Sequence, residues 1–257
     1  MTPTLALPWR ITPQGDRTLL LIRDEPVSVE GGQTCAAVAA TLREAAIRGV
    51  TDIVPTFNSV AVHYQPRLFG SSTTFQNLAA EVARTVDQLA GQTGAASSRC
   101  IDIPVCYGGE FGPDLGDVAR HCGIREQDVI DLHSTEPAYV FMLGFAPGAP
   151  YIGMHDPALD IGRRDTPRTA LPAGSVAIAN CQTIIYPNVS PGGWHVIGTT
   201  PAALFFPDRD PPTLLAPGDT VPPRLRFRSR PSPIRSRTAD RSRRDGTGSD
   251  TARSSRS

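Results

Sequence analysis

The hydrophobic pattern of the chain changes character near residue 100. Before that point, apolar positions follow strand and helix periods. "RTLLLIR" (17–23) is a short apolar run that predicts a buried strand. "QTCAAVAATLREAAIR" (33–48) predicts an Ala-rich helix, closed by Gly49 in the position favoured just beyond a helix end. From Ser59, "SVAVHYQP" alternates Val60, Val62 and Tyr64 on one face and stops at Pro66, the pattern of a half-buried strand. "TTFQNLAAEVARTVDQLAG" (73–91) predicts a second helix with Phe75, Leu78, Val82 and Val86 on one stripe. Two helices against a sheet make a small α+β domain, assigned to residues 1–95. "GQTGAASSR" (91–99) has no period and reads as a linker.

Beyond Cys100, "IDIPVCYGG" predicts a strand, and "PDLGDVARHCG" and "REQDVIDLHS" predict two short amphipathic helices, the first ended by Gly123. After Glu136 the helical signal stops. Short apolar runs ("YVFMLGF", "SVAIA", "QTIIY", "WHVIG", "AALFF") then alternate with Gly/Pro clusters about every ten residues, which predicts a closed or nearly closed β-barrel over 100–227. From Arg228 to Ser257 the only large apolar residue is Ile234, so this Arg/Ser-rich tail is expected to be disordered.

Composition narrows the chemistry. All 25 basic residues are arginine. Without lysine the chain holds no Walker A loop, no Schiff-base amine and no biotin attachment site. Nine of the arginines lie in the tail, leaving a mildly acidic body, unlike a nucleic-acid-binding domain. No apolar run approaches the roughly 20 residues of a membrane span, and no secretory leader is evident, so a cytoplasmic protein is expected. The five cysteines form no C-x-x-C pair and the five histidines no metal-binding pair, so neither a disulfide framework nor a metal site is expected. The surroundings of Ser175 and Ser190 do not form a nucleophile elbow.

What remains is a set of stiff turns carrying polar and aromatic groups: "GFAPGAPYIG" (144–153), "RRDTPRTALPAGSVAIA" (163–179), "QTIIYPNVSPGGWHVIG" (182–198) and "LLAPGDTV" (214–221). Glycine permits close backbone approach, and proline reduces the entropy lost on ordering. Arg163, Arg164 and Arg168 lie within six positions. They read either as a bidentate clamp for carboxylate or phosphate or as surface ion pairs. His133, ending a predicted helix, reads as a base or as a satisfied helix-terminal histidine. Trp194 and Tyr186 read as ligand walls or as barrel packing.

In this order, "PVCYGGEFGPDL" (104–115), "VIDLHSTEPAYVFMLGFAPGAPYIG" (129–153), "PRTALPAGSVAIA" (167–179), "QTIIYPNVSPGGWHVIGTT" (182–200) and "LLAPGDTV" resemble the family of 5-oxoprolinase subunit PxpB, the kinase inhibitor KipI and allophanate hydrolase subunit 1. The resemblance runs from about Gly15 to Phe227. It implies an N-terminal α+β domain followed by a cyclophilin-like β-barrel. It also implies PxpC-like and PxpA-like partner chains and ATP as co-substrate in opening 5-oxoproline to glutamate. A KipI-like inhibitor of a histidine kinase and a carboxyltransferase subunit of a biotin-dependent urea or amide carboxylase are the alternatives it carries.

On this resemblance His133, Arg164 and Arg168 are the catalytic candidates. Phe145, Pro147, Gly148 and Tyr151 in the first turn, with Gln182, Thr183, Tyr186, Ser190, Gly192, Gly193 and Trp194, are candidates for holding substrate or partner. The chain departs from the family at Phe206, where an acid is common, and at Asn180, where glycine is common. Arg125 replaces a better-capping Ser, and Pro222 and Pro223 interrupt the closing strand.

Overall fold

The computed structural model describes residues 9–69, 74–89, 98–222 and 226–227. Residues 91–97 of the expected linker (91–99) and the tail over 228–257 lie outside them.

Two sheets organise these residues. In the first part, β1 (Trp9–Gln14), β2 (Thr18–Arg23), α1 (Val29–Glu44), β3 (Val50–Pro55), β4 (Ser59–Tyr64) and α2 (Thr74–Leu89) follow in order. The strands form an antiparallel sheet in the order β1-β2-β4-β3. Val60, Val62 and Tyr64 face inward as the alternation predicts, and Leu19 and Leu21 join them beneath Leu78, Val82 and Val86 of α2.

Helix α1 is offset from its predicted span. It begins four residues earlier, where the Ser28 hydroxyl accepts the Gly31 N–H, and it ends at Glu44, not against Gly49. Ala46 takes the left-handed conformation at φ 45° and donates to the Arg43 carbonyl. Gly49, at φ 82°, instead serves the turn into β3, under the Phe69 ring.

The second part comprises β5 (Val105–Tyr107), α3 (Leu115–Cys122), α4 (Glu126–Ser134), β6 (Ala138–Leu143), β7 (Pro150–Gly153), β8 (Arg168–Leu171), β9 (Ser175–Ala179), β10 (Gln182–Ile185), β11 (Ser190–Gly192), β12 (His195–Thr199), β13 (Thr220–Val221) and β14 (Arg226–Phe227). Eight strands form one curled sheet in the order β13-β6-β7-β10-β9-β12-β5-β14, and β8 with β11 forms a separate ribbon. All pairings are antiparallel except β14 with β5. Just ahead of β5, Ile101 N–H donates to the Thr220 carbonyl and Thr220 N–H to the Arg99 carbonyl, so the segment entering β5 lies against β13, at the other end of this curled half-barrel. The Arg99 guanidinium, bidentate on the buried Asp219 carboxylate, reinforces that seam.

One predicted strand is absent. "AALFF" (202–206) makes only an isolated bridge, Phe205 to Thr213. Pro201, Pro207, Pro211 and Pro212 hem it in, so few ladder donors remain, and of this run Leu204 is buried in the core with Ala202 packed partly against it. Asn180 and Cys181, at φ 50° and 57°, make the two-residue turn between β9 and β10. Asn tolerates this left-handed geometry better than other non-glycine residues, so the departure at 180 preserves the hairpin. At Arg125, the Asp128 carboxylate accepts the Arg125 backbone N–H and the Nε–H and Nη2–H of its guanidinium, supplying from the third helical residue a cap that Arg cannot.

The two parts pack through α1 and β6. Gly32 leaves room for Phe141: a Cβ there would lie 2.6 Å from the Phe141 ring and 2.9 Å from Tyr139. Phe141 is 1% exposed and wedged between Phe57 and Tyr139, so it cannot swing aside. Gly32→Ala is therefore expected to lower stability by about 1–2 kcal/mol, overpacking outweighing the gain in helix propensity. A urea-unfolding midpoint equal to or above wild type would contradict this wedge. Among the described residues no helix is long and apolar enough to cross a membrane.

Candidate functional site

Period-two alternation decides what faces the barrel interior. In β10, Thr183 and Ile185 point inward while Ile184 joins Tyr186 and Trp194 on the outer side. In β5 the inward residues are Val105 and Tyr107. Helix α4 ends at the barrel lip and delivers His133, and the segment leaving β7 delivers His155. These side chains border a cavity of about 50 Å³, whose remaining wall includes Ile103, Ile152 and Val176. It has room for a few water-sized groups.

The polar groups there are linked. The Thr183 hydroxyl lies 2.7 Å from His133 Nε2 and 2.7 Å from His155 Nε2. The Tyr107 hydroxyl lies 2.8 Å from His133 Nδ1. The imidazole rings are 4.6 Å apart between centroids and tilted by 30°. Burial is the main reason both imidazoles hold protons weakly. His133 falls well below its ordinary value, with His155 adding to the effect, and His155 falls to about 4. Both rings are neutral at pH 7 and border the cavity, and each has one bare nitrogen that can take a proton handed along these hydrogen bonds.

A second polar centre lies outside the barrel. Asp114, 2% exposed at the start of α3, accepts from Arg164 Nη1 at 3.0 Å and from Arg168 Nη1 and Nη2 at 2.6 and 2.7 Å. Its second oxygen also accepts the Val196 N–H at 2.7 Å. Burial pushes this carboxyl up, but the Arg168 hydrogen bonds, the Val196 N–H and the charges of both arginines outweigh it and hold the group below its ordinary range. The Arg164 N–H also donates to the Gly193 carbonyl, so the 163–168 loop is tied to the "GGW" turn. Arg163 stands apart, 5.9 Å over the Trp194 ring.

The predicted site residues thus fall into three groups. His133 and Thr183 meet at the barrel cavity. Arg164 and Arg168 converge on Asp114, an internal carboxylate. The aromatic candidates line the outer side: Tyr186 and Trp194 are buried, Phe145 stacks edge-on to Tyr186 at 5.9 Å, and Tyr151 edge-on to Trp194 at 5.8 Å. Phe145 is 60% exposed and held at φ 70°. Gly192 lets the Tyr186 hydroxyl pass, since a Cβ there would lie 2.2 Å from it, and Gly148 sits 2.9 Å, by the same measure, from the Leu204 carbonyl. Pro147 is exposed, Gly193 half-buried, Gln182 lies 4.0 Å from the Met154 sulfur, and Ser190 donates to the Asn188 carbonyl. Sequence reasoning passed over Tyr107, His155 and Asp114. For Tyr107 the available signal is its alternation with Val105; His155 and Asp114 carry none of their own.

Residues 9–215 match the family described as carboxyltransferase domain, subdomain C and D. The chain is 38% identical over 221 residues to the 5-oxoprolinase B subunit of Bacillus subtilis, covering 83% of this chain and 91% of that one. It is 53% identical over 124 residues to the corresponding 5-oxoprolinase B subunit of Escherichia coli O157:H7, covering 48% of this chain and 57% of that one. Among solved structures, TTHA0988 superposes with a TM-score of 0.65 at 36% identity, over 80% of this chain and 39% of that longer one. The Kluyveromyces lactis urea amidolyase shares the fold, with a TM-score of 0.67 at 17% identity over 83% of this chain and 14% of that one. The chain belongs to the carboxyltransferase subdomain C and D family, the family of the 5-oxoprolinase B subunits.

Proposed function

We propose that this chain is a subunit of an ATP-dependent 5-oxoprolinase, working with PxpC-like and PxpA-like chains to open 5-oxoproline to glutamate. The observation that carries the reading is the pair of neutral imidazoles sharing Thr183 beside the barrel cavity, in a chain similar along most of its length to a 5-oxoprolinase B subunit. A lactam oxygen that attacks a phosphoryl group becomes an O-phosphorylated imidate only if the ring N–H gives up its proton. A neutral imidazole network is suited to receive it.

The polar side chains bordering the cavity are Tyr107, His133, Ser134, Glu136, His155 and Thr183, with no permanent cation among them. That set fits the amide edge of a lactam and not a triphosphate. Arg164 and Arg168 are both engaged on Asp114. The ATP phosphates are accordingly assigned to a partner chain, and this subunit alone is expected to be inactive.

The test is reconstitution. The chain, co-purified with PxpC-like and PxpA-like chains, is expected to release glutamate from 5-oxoproline only when ATP is present, and to release none by itself. An assembled complex that leaves 5-oxoproline intact would overturn the assignment.

A further inference from the structure

The shared hydroxyl of Thr183 imposes an order on the whole cluster. A threonine hydroxyl has one proton to donate, and each neutral imidazole has one N–H and one bare nitrogen. With both Nε2 atoms at 2.7 Å from one oxygen, both histidines could donate to its two lone pairs, but the proton of the buried Thr183 would then lack an acceptor among the described residues. With one histidine donating to Thr183 and the other accepting from it, that proton is satisfied as well. The Tyr107 hydroxyl on His133 Nδ1 extends the chain by one link. A phenol donates more readily than it accepts, so it gives its proton to Nδ1. His133 Nε2–H then donates to Thr183, Thr183 donates to His155 Nε2, and His155 carries its own proton on Nδ1.

From this geometry we infer that Tyr107, His133, Thr183 and His155 form a directional proton relay, with the Thr183 hydroxyl as its bridge. As a step in lactam opening, the relay rests on the function proposed above; as a hydrogen-bonded order it does not. When the lactam N–H gives a proton to the Tyr107 oxygen, the phenol proton passes to His133 Nδ1. The His133 Nε2 proton then passes to Thr183, the Thr183 proton passes to His155 Nε2, and the His155 Nδ1 proton leaves to water. One proton enters and one departs, every group ends neutral, and every hydrogen bond now points the other way.

The reversed order is the one the next step needs. For the ring C–N bond to break, the nitrogen must regain a proton. Tyr107 then gives its proton to that nitrogen and is refilled from His133 Nδ1, His133 from Thr183, Thr183 from His155 Nε2, and His155 Nδ1 from water. The second transfer restores the starting order, so the relay resets within a turnover without a ring flip. Neutral imidazoles are what such a chain requires, because a charged ring has no bare nitrogen to accept the next proton.

Two measurements test the relay, one on the chain alone. Nitrogen-15 histidine NMR of the isolated protein is expected to find opposite tautomers, Nε2–H for His133 and Nδ1–H for His155. Finding both rings as Nε2–H, or both as Nδ1–H, would overturn the relay whatever reaction the complex performs. In the reconstituted complex, Thr183→Val is expected to lower kcat at least tenfold and to shrink the solvent deuterium isotope effect, while Thr183→Ser stays within about threefold of wild type. A Val variant with wild-type kcat and isotope effect would equally overturn it.

Discussion

Replacing Asp114 with alanine is expected to destabilise the protein by about 3 kcal/mol. Removing one partner of a buried ion pair leaves the others uncompensated, and here one carboxylate serves two arginines and a backbone N–H. The figure sits at the low end of the usual range of about 3–5 kcal/mol because Arg164 and Arg168 keep 27% and 31% of their side chains exposed and can recover water. For a protein of this size that corresponds to a fall in Tm of roughly 6–12 °C. Thermal and urea unfolding read it directly. Asp114→Asn, which keeps the shape and loses the charge, separates the ionic part from packing. If both variants unfold with wild type, the carboxylate holds neither the 163–168 loop nor the turn before β12.

The second large effect is acid sensitivity at a pH where carboxylates are still ionised. In the unfolded chain a histidine takes up a proton near pH 6.5, whereas native His155 resists until about pH 4 and native His133 also binds its proton only well below the ordinary value. The unfolded state therefore binds more protons as pH falls. Stability is fully present above pH 6.5 and declines from there toward pH 4, by about 1.4 kcal/mol per pH unit for each histidine titrating in this way. His155 alone accounts for about 3 kcal/mol across that interval. His195, depressed chiefly by burial, adds in the same direction. Urea unfolding at a series of pH values from 7 to 4.5 is expected to follow this slope, and His155→Gln to flatten it. A stability that stays level between pH 6.5 and 5 would mean that the cavity admits charge freely.

What the sequence discloses depends on how local the cause is. The alternation of Val60, Val62 and Tyr64 is legible because β4 lies inside its sheet, with one face buried along its whole length. The strands that sequence reasoning omits, β1 and β3, are the two edges of that sheet, where alternation is weak and prolines are tolerated at residues 13 and 55. The early start of α1 is masked by Gly31 and Gly32, since helix propensity argues against a pair whose second member makes room for Phe141, more than 100 residues later.

The candidate site follows the same rule. His133 and Thr183 stand out because they lie in recognisable segments, but their significance depends on Tyr107 and His155, which reach the cavity from β5 and from beyond β7. The arginine cluster is visible as charge. Its partner Asp114, 50 and 54 residues earlier, reads only as an acid at a helix start. Long-range partners leave no periodic trace in a single chain.

The barrel seam has a consequence for how such a domain travels between proteins. Residues 99–101 lie hydrogen-bonded against Thr220, about 120 positions later, and the last strand, β14, pairs with β5, so the polypeptide enters and leaves the barrel side by side. A unit with adjoining ends can be spliced into a longer polypeptide without parting its sheet, and it tolerates joining at either side. The same closure has a kinetic price: it is a contact of high sequence separation, made after much of the intervening chain has been ordered. The seam thus makes the barrel a late-closing but portable module, as suits a fold found in chains of very different length.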